Sequence, residues 1–345
     1  MSAAPDWAAL RSEFPLLARA TYLNTASRGA VPLAVARRLA EYGRRLAEDP
    51  AYGTDTALAA TDAVRRRLAR LLGAADGTVD FVANATAGIT RAAQLLAGRG
   101  GVLLAAGDFP AVTQPWLALG YTARVVEPRA DGSITLEDLD RARGPDTRIV
   151  ALSSVQYASG FRCDARALGE YCRDRGLALV LDATQEFGAC PVDVRESGAT
   201  AVALSGYKWA LAGYGVGALY LAPELGALRA PAAGHPPIPG VLALDAALDV
   251  LEGVGIDRIA KRVRELALDL RGRLARRGLA HRPDPAHLSG ITSIAVRDAD
   301  AAVATLRARG IIASARSSRL RISLHCSNDR SDIDTLDDAL GGLEK

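Results

Sequence analysis

Along the chain, short apolar runs alternate with segments whose apolar positions recur every three or four residues. "VDFVAN" (79–84) has a strand pattern and leads into a helical pattern from Thr86 to Leu96. "VLLAAGDF", "ARVVEP" and "RIVALSSV" are strand-like, "ARALGEYCRDRG" is helical, and "LALVLDA" is a strand again. Strands separated by helices in this way predict a mainly parallel sheet covered on both faces. Ligands of such sheets bind beyond the carboxyl ends of the strands. The texture changes after Pro223: "RAPAAGHPPIPG" reads as a Pro/Gly/Ala hinge, followed by one long helical stretch from Val241 to Arg277. "GITSIAV", "DADAAVATLRARG", "LRISLHC" and "RSDIDTLDDALGGL" then predict a smaller strand, helix, strand, helix unit.

A chain of 345 residues exceeds the size at which one core stops growing, so a large domain with a smaller companion fits. Lys plus Arg total 42 against 39 Asp plus Glu, a formal net charge of +3 without long single-sign runs. This balance predicts neither nucleic acid nor an anionic membrane as partner. Cys163, Cys172, Cys190 and Cys326 lie far apart, which suggests no disulfide framework and no metal site. The amino terminus "MSAAPDWAALRSEFPLL" lacks a continuous apolar core, and no later run is long enough to span a bilayer. The expectation is a cytoplasmic protein.

The stretch "ALSGYKWALAGYGVGALYLAP" (203–223) carries one lysine, Lys208, between two apolar strand patterns. Most lysines are solvated surface charges. In a turn between core strands a lysine is desolvated, which lowers its pKa and exposes the amine that Schiff-base chemistry requires. Asp182 closes the strand "ALVLD", and Gln185 follows three residues on. A carboxylate there is a ligand or catalytic group, with a helix N-cap as the ordinary alternative. "NATAG" (84–88) ends a strand and opens a helix, so the N–H groups around Ala85 and Thr86 make a phosphate seat, although Thr86 also suits a plain cap. "GYGVG" (213–217) precedes a strand and opens no helix, so the dinucleotide fingerprint fails. Together, a lysine, a carboxylate, a glutamine and a phosphate seat are the parts that pyridoxal phosphate needs.

The blocks "YLNTASRGAVP", "FVANATAGI", "GDFPAVTQPW", "SSVQYASGFRCD", "VLDATQEFGACPVDV", "SGYKWALAGYGVGALYL" and "LRISLHCSNDRSDID" run in this order over nearly the whole chain. Their order and spacing resemble the class V aminotransferase family of fold type I pyridoxal-phosphate enzymes. The resemblance implies an α/β fold: a large domain with a mostly parallel seven-stranded sheet between helices, and a smaller α+β C-terminal domain. The division it implies is 1–20 as an N-terminal segment packing with the small domain, 21–253 as the cofactor-binding domain, and 254–345 as the small domain. The implied activity is on an α-amino acid through a Cα carbanion, by transamination, elimination or epimerisation. A C–S or other β-lyase is one alternative, and a non-catalytic binding protein of the same fold is another.

Roles carry over residue by residue. Lys208 would hold the cofactor as a Schiff base and move protons. Asp182 would pair with the pyridine nitrogen and Gln185 with the phenolic oxygen. Ala85, Thr86, Ser205 and Tyr207 would hold the phosphate, Phe109 would stack on the ring, and Ser154 completes the cofactor set. Arg321 matches the arginine that clamps the substrate α-carboxylate, with Asn24, Arg28 and Gln156 also on the substrate side. Arg28 either reads a second acidic group or faces solvent. The resemblance further implies a homodimer, with His235 as the cross-subunit candidate.

Two departures bear on the reaction. Cysteine desulfurases carry a nucleophilic cysteine just before the carboxylate arginine, whereas this loop reads "GIIASARSSR", so persulfide chemistry is not expected. Cys326 follows Arg321 and is read as packing. The segment after "GALYLA" is shortened to "PELGALRAPAAGHPPIPG", with His235 where relatives have threonine.

Overall fold

The structure, a computed structural model, describes residues 5–49, 52, 55–226 and 235–341. A short strand β1 (Thr21–Tyr22) precedes the strands of a central sheet: β2 (Val79–Val82), β3 (Gly101–Ala105), β4 (Ala123–Val126), β5 (Thr147–Ser153), β6 (Ala178–Asp182), β7 (Ala201–Ser205) and β8 (Gly217–Leu221). The C-terminal unit adds β9 (His281–Arg282), β10 (Ile291–Ile294), β11 (Ile311–Ile312), β12 (Ser314–Arg316) and β13 (Arg319–Ser323). The central sheet has the order β2-β8-β7-β6-β5-β3-β4, and β8 alone runs antiparallel to its neighbours β2 and β7. Strands β3, β6, β7 and β8 are buried at every position, as expected of strands covered on both faces.

The helix Ala85–Leu95 begins directly after β2 and packs on β7 and β8. Asn84 caps it, its side-chain oxygen accepting the Ala87 N–H at 3.0 Å. Gly88 sets how closely the helix lies on the sheet, because a Cβ there would come within 2.9 Å of the Ala203 Cβ. Close packing brings the first turn of this helix beside the carboxyl ends of β6 and β7.

The C-terminal unit is a four-stranded antiparallel sheet of order β12-β13-β10-β9, packed with the helices Ile256–Arg276, Ala299–Ala308 and Arg330–Leu340. Its own core joins Leu266, Leu306, Ile322 and Leu336. The N-terminal segment is tied to this unit. Both guanidinium ends of Arg11 reach the Asp332 carboxylate at 2.8 and 2.9 Å, and the Arg262 guanidinium lies 5.2 Å from the Trp7 ring centroid. The attachment continues past residue 20: β1 pairs in parallel with β11, and Asn24 bridges to Ser323. The turn that follows is anchored to the large sheet, since the Gly29 N–H donates to the Tyr207 carbonyl at 2.9 Å. A Cβ on Gly29 would fall 2.0 Å from the Lys208 carbonyl oxygen, so only glycine permits this approach.

The stretch from Val241 to Arg277 is not one helix. It is two, Ile238–Val254 and Ile256–Arg276, broken at Gly255 with φ +94°. Apolar periodicity runs across the break because both helices bury a face, which hides it from the pattern. The left-handed glycine marks it. Half of the "RAPAAGHPPIPG" hinge, residues 229–234, lies outside the described residues; Pro236 and Pro237 lead into the first of these helices.

Gly88→Val should lower stability by about 1–3 kcal/mol through overpacking against β7, seen as a lower urea midpoint with an unchanged slope. An unmoved midpoint would show that the helix does not press on the sheet at this position.

Candidate active site

The turn between β7 and β8 carries Lys208. It is closed by the Gly206 N–H on the Val216 carbonyl at 2.8 Å and the Ala212 N–H on the Gly206 carbonyl at 2.9 Å. Leu211 takes a left-handed φ of +61° here, an uncommon conformation for a branched residue. The turn holds Lys208 only 6 % exposed, with its Nζ 5.1 Å from the Phe109 ring centroid and 5.5 Å from that of Tyr207. Around it is a cavity of about 300 Å³ lined by Ala85, Thr86, Asp182, Ser205 and Tyr214 as well. This is the lower end of the size range of small-molecule sites.

The walls of the cavity follow from the strand ends. Asp182 is the last residue of β6 and is buried; the Thr184 N–H donates to its Oδ1 at 2.8 Å. Ser205 ends β7, and its Oγ accepts the Ala85 N–H at 2.8 Å. That bond occupies the Ala85 amide and leaves the Ser205 hydroxyl hydrogen available to an anion. The Ala85 N–H is therefore not the free donor that the sequence suggests. The Thr86 N–H, in the first helical turn, meets no acceptor among the described residues.

Burial pushes the Lys208 ammonium down to about 8, against the pull of Asp182 and reinforced by the charges of Arg321 and Arg316. Burial raises Asp182 above the usual carboxylate range, although the Thr184 hydrogen bonds and the Lys208 charge oppose it. Both groups lack a counter-charge sufficient to offset their desolvation.

Arg321, from β13, is 1 % exposed. Its Nη1 donates to the Tyr157 carbonyl at 2.8 Å, its Nη2 to Ser27 Oγ at 2.6 Å and its Nε to Ser314 Oγ at 3.2 Å. No carboxylate among the described residues pairs with it. Burial, followed by the Arg316 charge, pushes it down to about 9. A buried guanidinium held only by neutral acceptors is a seat for an anion.

Other predicted residues fall elsewhere. Gln185 is buried between the N-terminal turn and Trp209: its Nε2 donates to the Ala26 carbonyl at 3.0 Å and its Oε1 accepts the Trp209 indole N–H at 2.7 Å. One of its amide hydrogens remains uncommitted. Ser154 is not brought to the cavity around Lys208; it faces a separate one beside Arg162 and Glu186, with its Oγ 3.4 Å from the Asp182 carbonyl. Gln156 is consumed by its own loop, bonding the Gly107 carbonyl at 2.9 Å and the Ala158 and Ser159 N–H groups at 2.6 and 2.9 Å. Asn24 and Arg28 line an adjoining cavity of about 440 Å³ that shares Tyr214 with the first. Asn24 Oδ1 is buried there without a donor. His235 is exposed, and Cys326 is buried with its thiol pushed up to about 12 by burial.

Three residues at or near the site have only weak signals in the sequence. Thr184 lies two residues after Asp182, where an Asx turn forms. Tyr214, between the left-handed Gly213 and Gly215, stacks on Tyr207 with centroids 4.7 Å apart. Arg316 is visible only through the pairing of β12 with β13.

A lysine and a carboxylate, both buried at the ends of parallel strands beside a helix amino terminus, define a site for an anionic, carbonyl-bearing cofactor. A family model described as Aminotransferase class-V matches residues 21–232 and 227–336. The chain belongs to this family, and it is an enzyme whose cofactor is pyridoxal 5′-phosphate. It is 28% identical over 355 residues to an uncharacterized aminotransferase, YcbU, of Bacillus subtilis (strain 168), covering 94% of each chain. It is also 28% identical over 398 residues to the isopenicillin N epimerase of Amycolatopsis lactamdurans, covering 99% of this chain and 100% of that one. A solved structure of mutant C-DES, with glycine covalently linked to its pyridoxal-phosphate cofactor, superposes with a TM-score of 0.89 at 20% identity, covering 99% of this chain and 100% of that one. The fold is that of fold type I enzymes. Among the described residues no helix is long and apolar enough to cross a membrane.

An amine with a pKa of about 8 is neutral in about 1 molecule in 10 at pH 7, against about 1 in 3,000 for the ordinary value of 10.5. The neutral amine is the nucleophile. The rate at which apoprotein takes up pyridoxal phosphate, followed by absorbance, should therefore rise with pH up to about 8 and then level. A rise continuing toward pH 10 would contradict the buried state of Lys208.

Proposed function

We propose that the enzyme acts on an α-amino acid, taking its α-carboxylate at Arg321 and moving the Cα proton with Lys208. The observation that carries this reading is the buried Arg321 fork, which pairs with no carboxylate among the described residues and lies close enough for its charge to lower the Lys208 pKa. When bound, pyridoxal phosphate supplies a ring that withdraws the electrons left at Cα. The cavity fits it. Asp182, short of a counter-charge, would take a protonated ring nitrogen; Thr86 and Ser205 would offer an N–H and a hydroxyl to the phosphate, with Tyr207 also in the lining; Phe109 would pack against the ring. The remaining Gln185 amide hydrogen suits the phenolic oxygen, and the orphaned Asn24 oxygen suits a donor on the substrate.

Lys208 is the proton carrier because it is the one amine lining the cavity among the described residues, and its lowered pKa sets it near working pH. A planar clamp on the carboxylate fixes which Cα bond faces the lysine, so Arg321 contributes to rate as well as to binding. Transamination is the leading reading, with β-elimination and epimerisation sharing the same first step. Cysteine desulfuration is disfavoured, since no cysteine lies in the segment from Gly310 to Arg321 and Cys326 is buried. The working unit is a homodimer, supported by Tyr214, which is 66 % exposed at the edge of the cavity, and by His235, which is exposed at the start of the helix Ile238–Val254.

The test is a screen of amino acids against the holoenzyme by absorbance and product mass, followed by substitution. Lys208→Ala should abolish turnover. Arg321→Lys keeps the charge but loses the fork, and should lower kcat/KM by about 10- to 100-fold with cofactor absorbance intact. Should Arg321→Ala leave kcat/KM for the best amino acid untouched, or the best substrate lack a carboxylate, the reading fails. Incubated with cysteine, the enzyme should build no protein-bound persulfide. Stoichiometric alanine with a labelled persulfide would restore the desulfurase reading.

A further inference from the structure

The hairpin that carries Arg321 presents more positive charge than one carboxylate needs. Its two strands pair Ser314 with Arg321 and Arg316 with Arg319, so these four side chains share one face of the sheet. Arg316 and Arg319 stand directly opposite each other, a like-charge pairing that costs stability. The connecting residues, Ser317 and Ser318, are both left-handed at φ +48° and +56°. Two serines in a conformation that favours glycine or asparagine hold a tight turn, and with it the register that places Arg316 beside Arg321.

Arg319 is occupied, donating to Ser293 Oγ at 2.9 Å and to the Ser293 and Ala280 carbonyls at 3.1 and 3.2 Å. Arg316 gives its Nη1 to the Ala315 carbonyl at 2.5 Å and turns its Nη2 toward the site. Its Nη2 lies 3.4 Å from Ser27 Oγ, the same oxygen that Arg321 Nη2 reaches at 2.6 Å. Among the described residues no carboxylate forms an ion pair with either guanidinium. The charge of Arg316 also reaches the Lys208 amine. One α-carboxylate would leave one of two adjacent, partly or wholly buried guanidiniums without a counter-ion.

We propose that Arg316 is a second anion-binding residue of the substrate site, and that the amino acid this enzyme takes carries an additional acidic group on its side chain. This rests on the reading of Arg321 as the α-carboxylate clamp. It assigns the distal acid to Arg316 on the hairpin. Arg28 is exposed in the adjoining cavity.

Calorimetric titration of the holoenzyme with succinate and glutarate, against propanoate and butanoate, separates the possibilities without turnover. The dicarboxylates should bind about 10-fold more tightly than the chain-matched monocarboxylates. Arg316→Gln should bring that ratio to about 1, and Arg316→Lys should restore part of it. Cofactor absorbance in each variant checks that the site is folded. The proposal is overturned if the wild type does not discriminate, if Arg316→Gln keeps the preference, or if it weakens both ligand classes equally, as two arginines sharing one carboxylate would. If Arg321→Gln leaves monocarboxylate binding intact, the clamp reading itself is wrong, and this proposal falls with it.

Discussion

An ammonium buried as deeply as that of Lys208 carries a desolvation penalty of several kcal/mol unless a partner or deprotonation relieves it. Here neither Asp182 nor any other described group relieves it fully, and the amine titrates near pH 8. Much of the large unit's local geometry serves to hold it in that position. Two buried strands bring the turn between them to the edge of the sheet, a left-handed Leu211 completes that turn, and Gly29 lets the N-terminal segment press directly against the Lys208 carbonyl. That contact links the two units of the chain, because the same segment pairs with β11 and β13 of the C-terminal unit.

The site as a whole is unbalanced in charge. Asp182 is pushed toward its neutral form, Lys208 toward its free amine and Arg321 away from its charged form, each chiefly by burial. Protein interiors ordinarily pair such groups with one another. In the proposed reading their incomplete pairing would be relieved by ligands: a cofactor whose protonatable ring nitrogen Asp182 would take and whose aldehyde Lys208 would take, and a carboxylate that Arg321 would take. Ser27 holds the arginine's place, since a hydroxyl is an acceptor that a carboxylate displaces readily.

Much of the fold was legible because strands covered on both faces read as continuous apolar runs, and β3, β6, β7 and β8 are buried throughout. The turn bearing Lys208 stood out for the same reason, as a polar interruption between two such runs. The break at Gly255 did not, since apolar periodicity passes straight through it. Side-chain commitments were hidden as well. Gln156 and Ser154 have the chemistry of ligand-binding residues, yet their polar atoms are spent on nearby backbone. The Ala85 amide is likewise taken by Ser205, 120 residues away in sequence. Arg316 depends on the register of a short hairpin, which local pattern does not specify.

The chain contains three lysines, Lys208, Lys261 and Lys345, which makes the central assignment directly measurable. Holoenzyme reduced with borohydride and then digested should carry the cofactor mass on the peptide containing Lys208, in stoichiometric yield and nowhere else. Cofactor found on Lys261 or Lys345, or on no lysine, would contradict the account of this site.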